Sequence, residues 1–311
     1  MVMTELDRLE LPELFSRLVR GDHLDDLLRI AVEEDHGACG DVTTSSHPDA
    51  SRTIGAVIRS REAGVLAGVP VLDRLLRLHA PRLSWWWELD DGSRFDRGDV
   101  VCRLSGARID LLPVERILLN MLGRLSGVAS TTARFVDAVG GHPARICDTR
   151  KTTPGYRTLE KYAVRCGGGC LHRIGLYDAF LLKDNHLGGD APGEFAERVH
   201  QAVRTARARH ELGFVEVEVD TLEQMKELLA TGDDGSSREL IDIILLDNMQ
   251  PDRLLEAVAW RDRNAPGVLL EASGGVSLDS VTDIASTGVD RIAVGAITHS
   301  AVQVDFGMDL E

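Results

Sequence analysis

The stretch from Cys147 to His186 reads CDTRKTTPGYRTLEKYAVRCGGGCLHRIGLYDAFLLKDNH. Together with the residues just before it, it holds two short apolar runs that end in charge, ARICDTRK and YDAFLLKDNH. A helical segment, PGYRTLEKYAV, lies between them. The same alternation continues downstream. GEFAERVHQAVRTARAR is followed by FVEVEVD, TLEQMKELLA by IDIILLDN, PDRLLEAVAW by GVLLEASGG, and SLDSVTDIAS by RIAVGAITHS. Six β-α units thus recur at intervals of about 25–35 residues, a pattern that predicts a parallel sheet with right-handed crossovers. At this repeat number and spacing a closed α/β barrel is favoured over an open sheet. No G-x-G-x-x-G follows a strand, so a dinucleotide-binding fold is not supported. Only six strands are legible, so either further strands are hidden or the barrel is incomplete.

The opening stretch is also a charge anomaly. From Arg145 through His186 there are eight Lys/Arg against four Asp/Glu, a net of +4 in a chain whose total is −15. Only four residues of the chain are lysines, and three of them, Lys151, Lys161 and Lys183, fall here. A basic island in an acidic protein fits a small polyanion, and the acid excess argues against nucleic acid or an anionic membrane as partner. Lys161 and Arg165 stand at helical spacing from Arg157 and read as a solvated helix face. Arg150–Lys151 and Lys183 close apolar runs and read as ligand groups.

Upstream, residues 1–36 have the three- and four-residue apolar spacing of two helices, and GACGDVTTSSHPDA reads as a loop. Residues 52–69 and the SWWWELDDGSRFDRGDVVCRLSG segment alternate as strands, with a short helix at 69–79. Trp85–Trp87 reads as a strand packed on both faces or an oligomer contact, and RGD at Arg97–Asp99 as a turn. Asp110–Val139 is a long helix with an apolar stripe at Leu118, Met121, Leu122 and Leu125. The expected organisation is an N-terminal α/β domain over 1–115, joined by a tail at 300–311, and a barrel over 116–299. No apolar run reaches the roughly 18–20 residues of a membrane span. Neither a signal peptide nor a zinc-ligand spacing is legible, and five scattered cysteines fit reduced thiols, so a cytoplasmic location is expected.

In a parallel barrel the reactive groups gather at the C-terminal strand ends. Here these are Thr149–Arg150–Lys151, Lys183–Asp184–Asn185–His186, the alternating Glu216, Glu218 and Asp220, Asp247–Asn248, Glu271 to Gly275, and Val294–Gly295–Ala296. Arg150, Lys151, His172, Arg173 and Lys183 form a cationic bowl for carboxylates or phosphates. Glu218 and Asp247 are acids facing it, suited to Mg²⁺ held jointly with a ligand, to ribose hydroxyls, or to a cationic transition state. Ser273–Gly274–Gly275, before a helix beginning near Leu278, and Gly295–Ala296 read as phosphate loops. His36, His47, His142 and His299 read as structural or surface residues. No Ser/His/Asp set, HExxH or P-loop is present.

DTRKTTPGYRTLEKYAVRCGGG, HRIGLYDAFLLKDNH, EVEVD, LLDN, EASGG and VGAITHS, in this order, resemble the quinolinate phosphoribosyltransferase family, and the resemblance runs from the GDVTT loop at Gly40 nearly to the C-terminus. It implies an N-terminal α/β sandwich-like domain and an incomplete, seven-stranded α/β barrel. It also implies transfer of phosphoribosyl from phosphoribosyl pyrophosphate to quinolinate with loss of CO2, using Mg²⁺, in de novo NAD synthesis. By the same resemblance Thr149, Arg150, Lys151, His172, Arg173 and Lys183 bind quinolinate. Lys151, Lys183, Glu218, Asp247, Ser273, Gly274, Gly275, Gly295 and Ala296 bind the donor, and Lys151, Lys183, Glu218 and Asp247 serve catalysis. Arg116 is implied to enter the partner subunit's site, in a homodimer or a hexamer of dimers. Two departures stand out: Leu171 occupies a position where the family usually has Asn, and 231–239 looks like an insertion. The remaining alternatives are a phosphoribosyltransferase-like paralogue of molybdenum loci, a Schiff-base aldolase using Lys183, and a non-catalytic anion-binding protein.

Overall fold

The computed structural model describes residues 5–183, 195–230 and 240–311. Asp184–Asn185–His186 and the expected insertion at 231–239 lie outside the described residues. The chain divides into two compact units. One is built mainly from Arg134–Lys151 and Gly169–Ala296, the other from Leu9–Ala133, Thr152–Gly168 and Ile297–Glu311. This differs from the expected boundary at 115/116, because one unbroken helix, α5 below, crosses that position and its apolar stripe belongs to the second unit.

That second unit is mixed α/β. Its helices are α1 (Leu11–Leu18), α2 (Gly21–His36), α3 (Val42–Ser45), α4 (Val69–His79), α5 (Arg108–Ala138) and α6 (Arg157–Cys166). Its strands are β1 (Thr53–Ser60), β2 (Gly64–Val65), β3 (Ser84–Trp87), β4 (Arg94–Phe95) and β5 (Val100–Ala107). The expected loop at 37–50 contains α3, because the Asp41 carboxylate caps it by accepting from the Thr44 N–H at 2.9 Å. The antiparallel sheet is ordered β12-β1-β5-β3, where β12 (Phe306–Leu310) is the tail strand, paired Ala56↔Leu310 through Ser60↔Phe306. On α5 Leu118, Leu122, Leu125, Val128 and Ala129 are fully buried, the three- and four-residue spacing of a core-facing stripe.

One expectation fails in this unit, and another loses one of its two alternatives. The tryptophan run is not packed on both faces: Trp86 is half exposed, while the Trp85 and Trp87 indole N–H groups both donate to Asp73 Oδ1, at 2.7 and 2.9 Å. Lys161 is not helix surface. It is fully buried on α6, whose residues Leu159–Val164 are all buried. The helix is enclosed on nearly every side, so its polar spacing does not mark a solvated face.

The first unit carries a six-stranded parallel sheet ordered β6-β11-β10-β9-β8-β7. The strands are β6 (Arg145–Cys147), β7 (Phe180–Leu182), β8 (Val215–Val219), β9 (Ile243–Asp247), β10 (Leu269–Ser273) and β11 (Arg291–Ala293). Helices α7 (Phe195–Arg209), α8 (Leu222–Leu229), α9 (Pro251–Asn264) and α10 (Val281–Ser286) separate β7 through β11 in order, and α11 (Ala296–His299) follows β11. Beyond β6 a one-residue parallel bridge, Cys147↔Cys170, extends the sheet. As expected of an incomplete barrel, the sheet does not close among the described residues, which contain six of its parallel strands. Residues after Cys147 and around Cys170 leave the ladder early, because Asp148 and Asp178 side chains take up the backbone N–H groups of His172, Ile174 and Gly175. A capping box between Thr221 and Gln224 starts α8. The helix expected near Leu278 begins at Val281, because Ser277 and Ser280 close a hydrogen-bonded turn first. No helix among the described residues is long and apolar enough to cross a membrane.

Candidate active site

Strand register places the site. Side chains alternate across a strand, and paired residues of neighbouring parallel strands share a face. The pairs Leu181↔Glu216, Glu218↔Leu245, Glu271↔Leu245, Ser273↔Asp247, Glu271↔Arg291 and Cys147↔Ala293 therefore put one continuous set on a single face. Val215, Val217 and Val219 occupy the other face of β8 and are buried. At the N-terminal end Ala179, Phe214 and Ile243, with Leu269 against them, make an apolar plug. Above it the same face turns charged and opens into a cavity of about 760 Å³.

The cavity wall brings together Thr149, Arg150, Lys151, His172, Arg173, Lys183, Asp247, Ser273, Gly274 and Gly275. These are ten of the residues singled out from sequence, drawn from four strand ends and one loop. Glu218 reaches the wall through Lys183, whose Nζ donates to Glu218 Oε2. Gly295 and Ala296 are half-buried just past β11 and are not part of this wall; Ala293 is. Arg116 belongs to the other unit. It is exposed on α5, with no hydrogen bond or ion pair among the described residues. Asp220, third in the alternating acid series, is exposed past the end of β8, where its backbone N–H donates to Gln224. A second cleft of about 810 Å³, lined by Leu176, Tyr177, Arg198 and Arg209 among others, lies against α7 and holds no acid.

The glycine loop needs its glycines. Gly274 has φ +95° and Gly275 φ +61°, the left-handed region that side chains disfavour. A Cβ at Gly274 would also collide with the Asn248 side chain. Asn248 itself sits at φ 52°, donates its backbone N–H to Ser273 O at 2.9 Å, and donates its side-chain amide to Asp247 Oδ2 at 2.6 Å. The Asp247 carboxylate and the glycine loop are thus oriented by one residue.

His172 is held from every side. Its N–H donates to the fully buried Asp148 at 2.7 Å, and its Nδ1 accepts the Arg173 N–H at 2.8 Å. Its Nε2 lies 2.8 Å from Glu216 and 3.5 Å from Glu271, and its ring meets Phe214 edge-on at 5.6 Å. The Leu171 departure therefore does not loosen His172. Leu171 is fully buried, and its N–H donates to Asp7.

Below this wall lie Glu216 and Glu271, named from sequence only as strand-end acids without a role, and Arg291, which the sequence reading missed. Glu216, Glu271 and Arg291 are all buried, and Arg291 Nε donates to Glu271 Oε2 at 2.6 Å. Burial pushes the Glu216 carboxyl up to about 7 against the opposing pull of Arg291, Arg173 and Lys183. Burial, followed by the Glu216 charge, also raises Glu271. Burial and then the Arg150 charge lower Arg173. Ligand atoms of His172, Glu216 and Glu271 lie within 4.8 Å of one another, close enough for a metal ion, yet the Arg291 guanidinium already supplies a positive charge there. The available signal was period two: Glu216 shares a strand face with Glu218, and Arg291 lies beside Glu271 in register.

The chain is similar to known proteins over most of its length. The model for the quinolinate phosphoribosyl transferase C-terminal domain matches residues 128–309, and that for the N-terminal domain matches 41–126. A nicotinate-nucleotide pyrophosphorylase (carboxylating) from Mycobacterium leprae is 42% identical over 289 residues, covering 92% of this chain and 96% of the relative. A probable enzyme of the same name from Bacillus subtilis is 37% identical, covering 92% and 93%. The solved nicotinate-nucleotide pyrophosphorylase from Francisella tularensis superposes with a TM-score of 0.83 at 33% identity, covering 94% of this chain and 98% of that one.

Proposed function

Since the chain belongs to the quinolinate phosphoribosyltransferase family, we propose that it transfers phosphoribosyl from phosphoribosyl pyrophosphate to quinolinate, releasing pyrophosphate and CO2 and forming nicotinate mononucleotide for NAD synthesis. One observation carries this reading: a single cavity has cations on one side and, at neighbouring strand ends, Asp247 with the Ser273–Gly275 loop. Arg150, Arg173 and Lys183 hold the two ring carboxylates, with Thr149, Lys151 and His172 completing the wall. The donor's phosphates meet Lys151 and the glycine loops, including Gly295–Ala296. The ring nitrogen attacks the anomeric carbon as pyrophosphate leaves. The ribosyl centre then gains positive charge, which Glu218 and Asp247 favour electrostatically. N-ribosylation makes the pyridinium that stabilises the electron pair left on C2 when the 2-carboxylate departs as CO2, and a proton from water then forms the C2–H bond.

Mg²⁺ is part of the proposal. It takes one or two carboxylates and completes its shell with phosphate oxygens and water, which suits Glu218 and Asp247 on adjacent strands. Bound there it would neutralise charge on the departing pyrophosphate. The working unit is at least a homodimer in which Arg116 enters the partner's cavity, and exposure of this arginine on α5, without a partner among the described residues, supports that reading. A cytoplasmic location fits five free cysteines, four of them buried. The ion pair of Lys183 with Glu218 suits a charged ammonium, whereas a Schiff-base nucleophile needs a free amine. The test is turnover of ring-labelled and carboxyl-labelled quinolinate with phosphoribosyl pyrophosphate and Mg²⁺. Donor-dependent CO2 release with equimolar nicotinate mononucleotide is expected, and absence of donor-dependent release sinks the assignment.

A further inference from the structure

Beneath the cavity lies a charge cluster that the proposed chemistry leaves unused. Glu216 is fully buried, and neither of its oxygens accepts an aligned hydrogen bond; its 2.8 Å approach to His172 Nε2 is a close contact without hydrogen-bond alignment. Glu271 is fully buried too. It gives Oε2 to Arg291 and leaves Oε1 without a hydrogen bond. A buried ion pair stabilises a fold only when aligned hydrogen bonds offset its desolvation. Glu216 lacks them, so what it contributes to its surroundings is charge. Glu216 shares a strand face with Glu218, whose carboxylate holds Lys183 Nζ, and it touches His172, the residue before Arg173. Its charge therefore lies beside two cations of the cavity wall, Arg173 and Lys183, as well as Arg291. Arg173 in turn carries the like charge of Arg150 beside it.

We infer that Glu216 is an internal counter-anion that sets how strongly, and how selectively, the cavity holds carboxylate ligands. With the cavity empty it balances part of the field of Arg173 and Lys183. A ligand carboxylate then competes with Glu216 for the same cations and is repelled by it. A dianion feels that opposition about twice as strongly as a monoanion, since Coulomb energy scales with charge. Glu216 therefore lowers affinity for dicarboxylates more than for monocarboxylates, and glutamine, which keeps the shape and removes the charge, releases that restraint.

This rests on the dicarboxylate reading of the cavity, and the experiment separates the two. Titration calorimetry at pH 8 on the full chain uses phthalate as the dianion and benzoate as the monoanion. Wild-type protein that fails to bind phthalate overturns the parent reading, and this inference falls with it. Given binding, Glu216→Gln is expected to tighten phthalate about tenfold and benzoate about threefold, with a larger phthalate-induced rise in Tm than wild type. A merely structural glutamate predicts the opposite sign, because a loosened floor weakens both ligands. Unchanged or weaker phthalate binding in folded Glu216→Gln overturns the inference. Should that variant fail to fold by circular dichroism, Glu216→Met, which removes the same charge and suits a fully buried position, is measured in its place. The same tightening is expected there, and its absence is equally decisive.

Discussion

At the scale of single residues, Asp247 and Leu171 show how the structure separates chemistry from support. Asp247 stands at the end of β9, oriented by Asn248 and paired in register with Ser273. It lies on the ribose side of the proposed site, so Asp247→Asn is expected to lower kcat on the order of 100-fold. Quinolinate affinity, measured by calorimetry, is expected to hold, and an unchanged kcat would remove Asp247 from its role. Leu171 is a different case. Because Asp148, Glu216 and Phe214 already fix His172, placing an amide at 171, as the resemblance implied, gains nothing. Leu171→Asn buries an amide in an apolar position and is expected to cost about 1–3 kcal/mol of unfolding free energy in urea, with dicarboxylate binding intact. In the cationic wall Arg150, Lys151 and Lys183 were legible because they end apolar runs, whereas His172 and Arg173 came only with the family resemblance. Glu216 and Glu271 were legible only as strand-end acids, and their burial with Arg291 was not, since a charged residue within a short strand looks the same whether it faces solvent or another strand's charge.

At the scale of elements, two contacts bind the second unit together. Gly127 on α5 lies so close to the tail that a Cβ there would collide with the Val302 carbonyl oxygen, and one at Gly123 would meet Val304 O at 2.7 Å. Elsewhere in a helix Gly→Ala gains up to about 1 kcal/mol. At Gly127 it is expected to cost about 1–3 kcal/mol, the range for overpacking, and to expose the tail to limited proteolysis. A stabilised Gly127→Ala protein would contradict the packing. The second contact joins α6, α4 and the turn before β4: Asp91 Oδ2 accepts from Tyr162 Oη at 2.7 Å and Oδ1 from the Val69 N–H at 3.1 Å. Burial raises the Asp91 carboxyl to about 6 in the folded protein, above its ordinary value of 3.8. The folded state thus binds more protons than the unfolded one between those values. This group's contribution to stability is full below about pH 4 and is lost as pH rises through 6, by roughly 2–3 kcal/mol. Asp91→Asn is expected to flatten that part of the stability–pH profile, measured by urea unfolding from pH 4 to 7. A wild-type and variant pair with parallel profiles would assign the slope elsewhere. Periodicity announced α5 and α6 as helices, but it could not give the surroundings of α6. Lys161 shares its spacing with Arg157 and Arg165, yet only Lys161 is wholly enclosed.

At the scale of the whole molecule, the repeat of strand and helix after Ala144 was enough to foresee a parallel sheet with its reactive ends on one side. Spacing could not show where that sheet stops. The strand beyond β6 is reduced to the Cys147↔Cys170 bridge because side chains, Asp148 and Asp178, bind the backbone groups that a longer ladder would use. Nor can one chain's sequence show which groups arrive from another copy, and that is where the proposed role of Arg116 becomes testable. Arg116→Met is expected to lose quinolinate turnover because a cationic ligand group is missing, and Lys183→Met because the receiving wall is damaged. If the arginine is donated across an interface, the two lesions lie in different places. A mixed dimer of Arg116→Met and Lys183→Met subunits then has one cavity with both defects and one with neither. Co-refolded in equal amounts, random pairing makes about half of all dimers mixed, each with one intact site. About a quarter of wild-type activity is therefore expected from a mixture of two inactive proteins. If Arg116 served its own subunit's cavity instead, every site in the mixture would carry one lesion. The mixture would then stay as inactive as its parts.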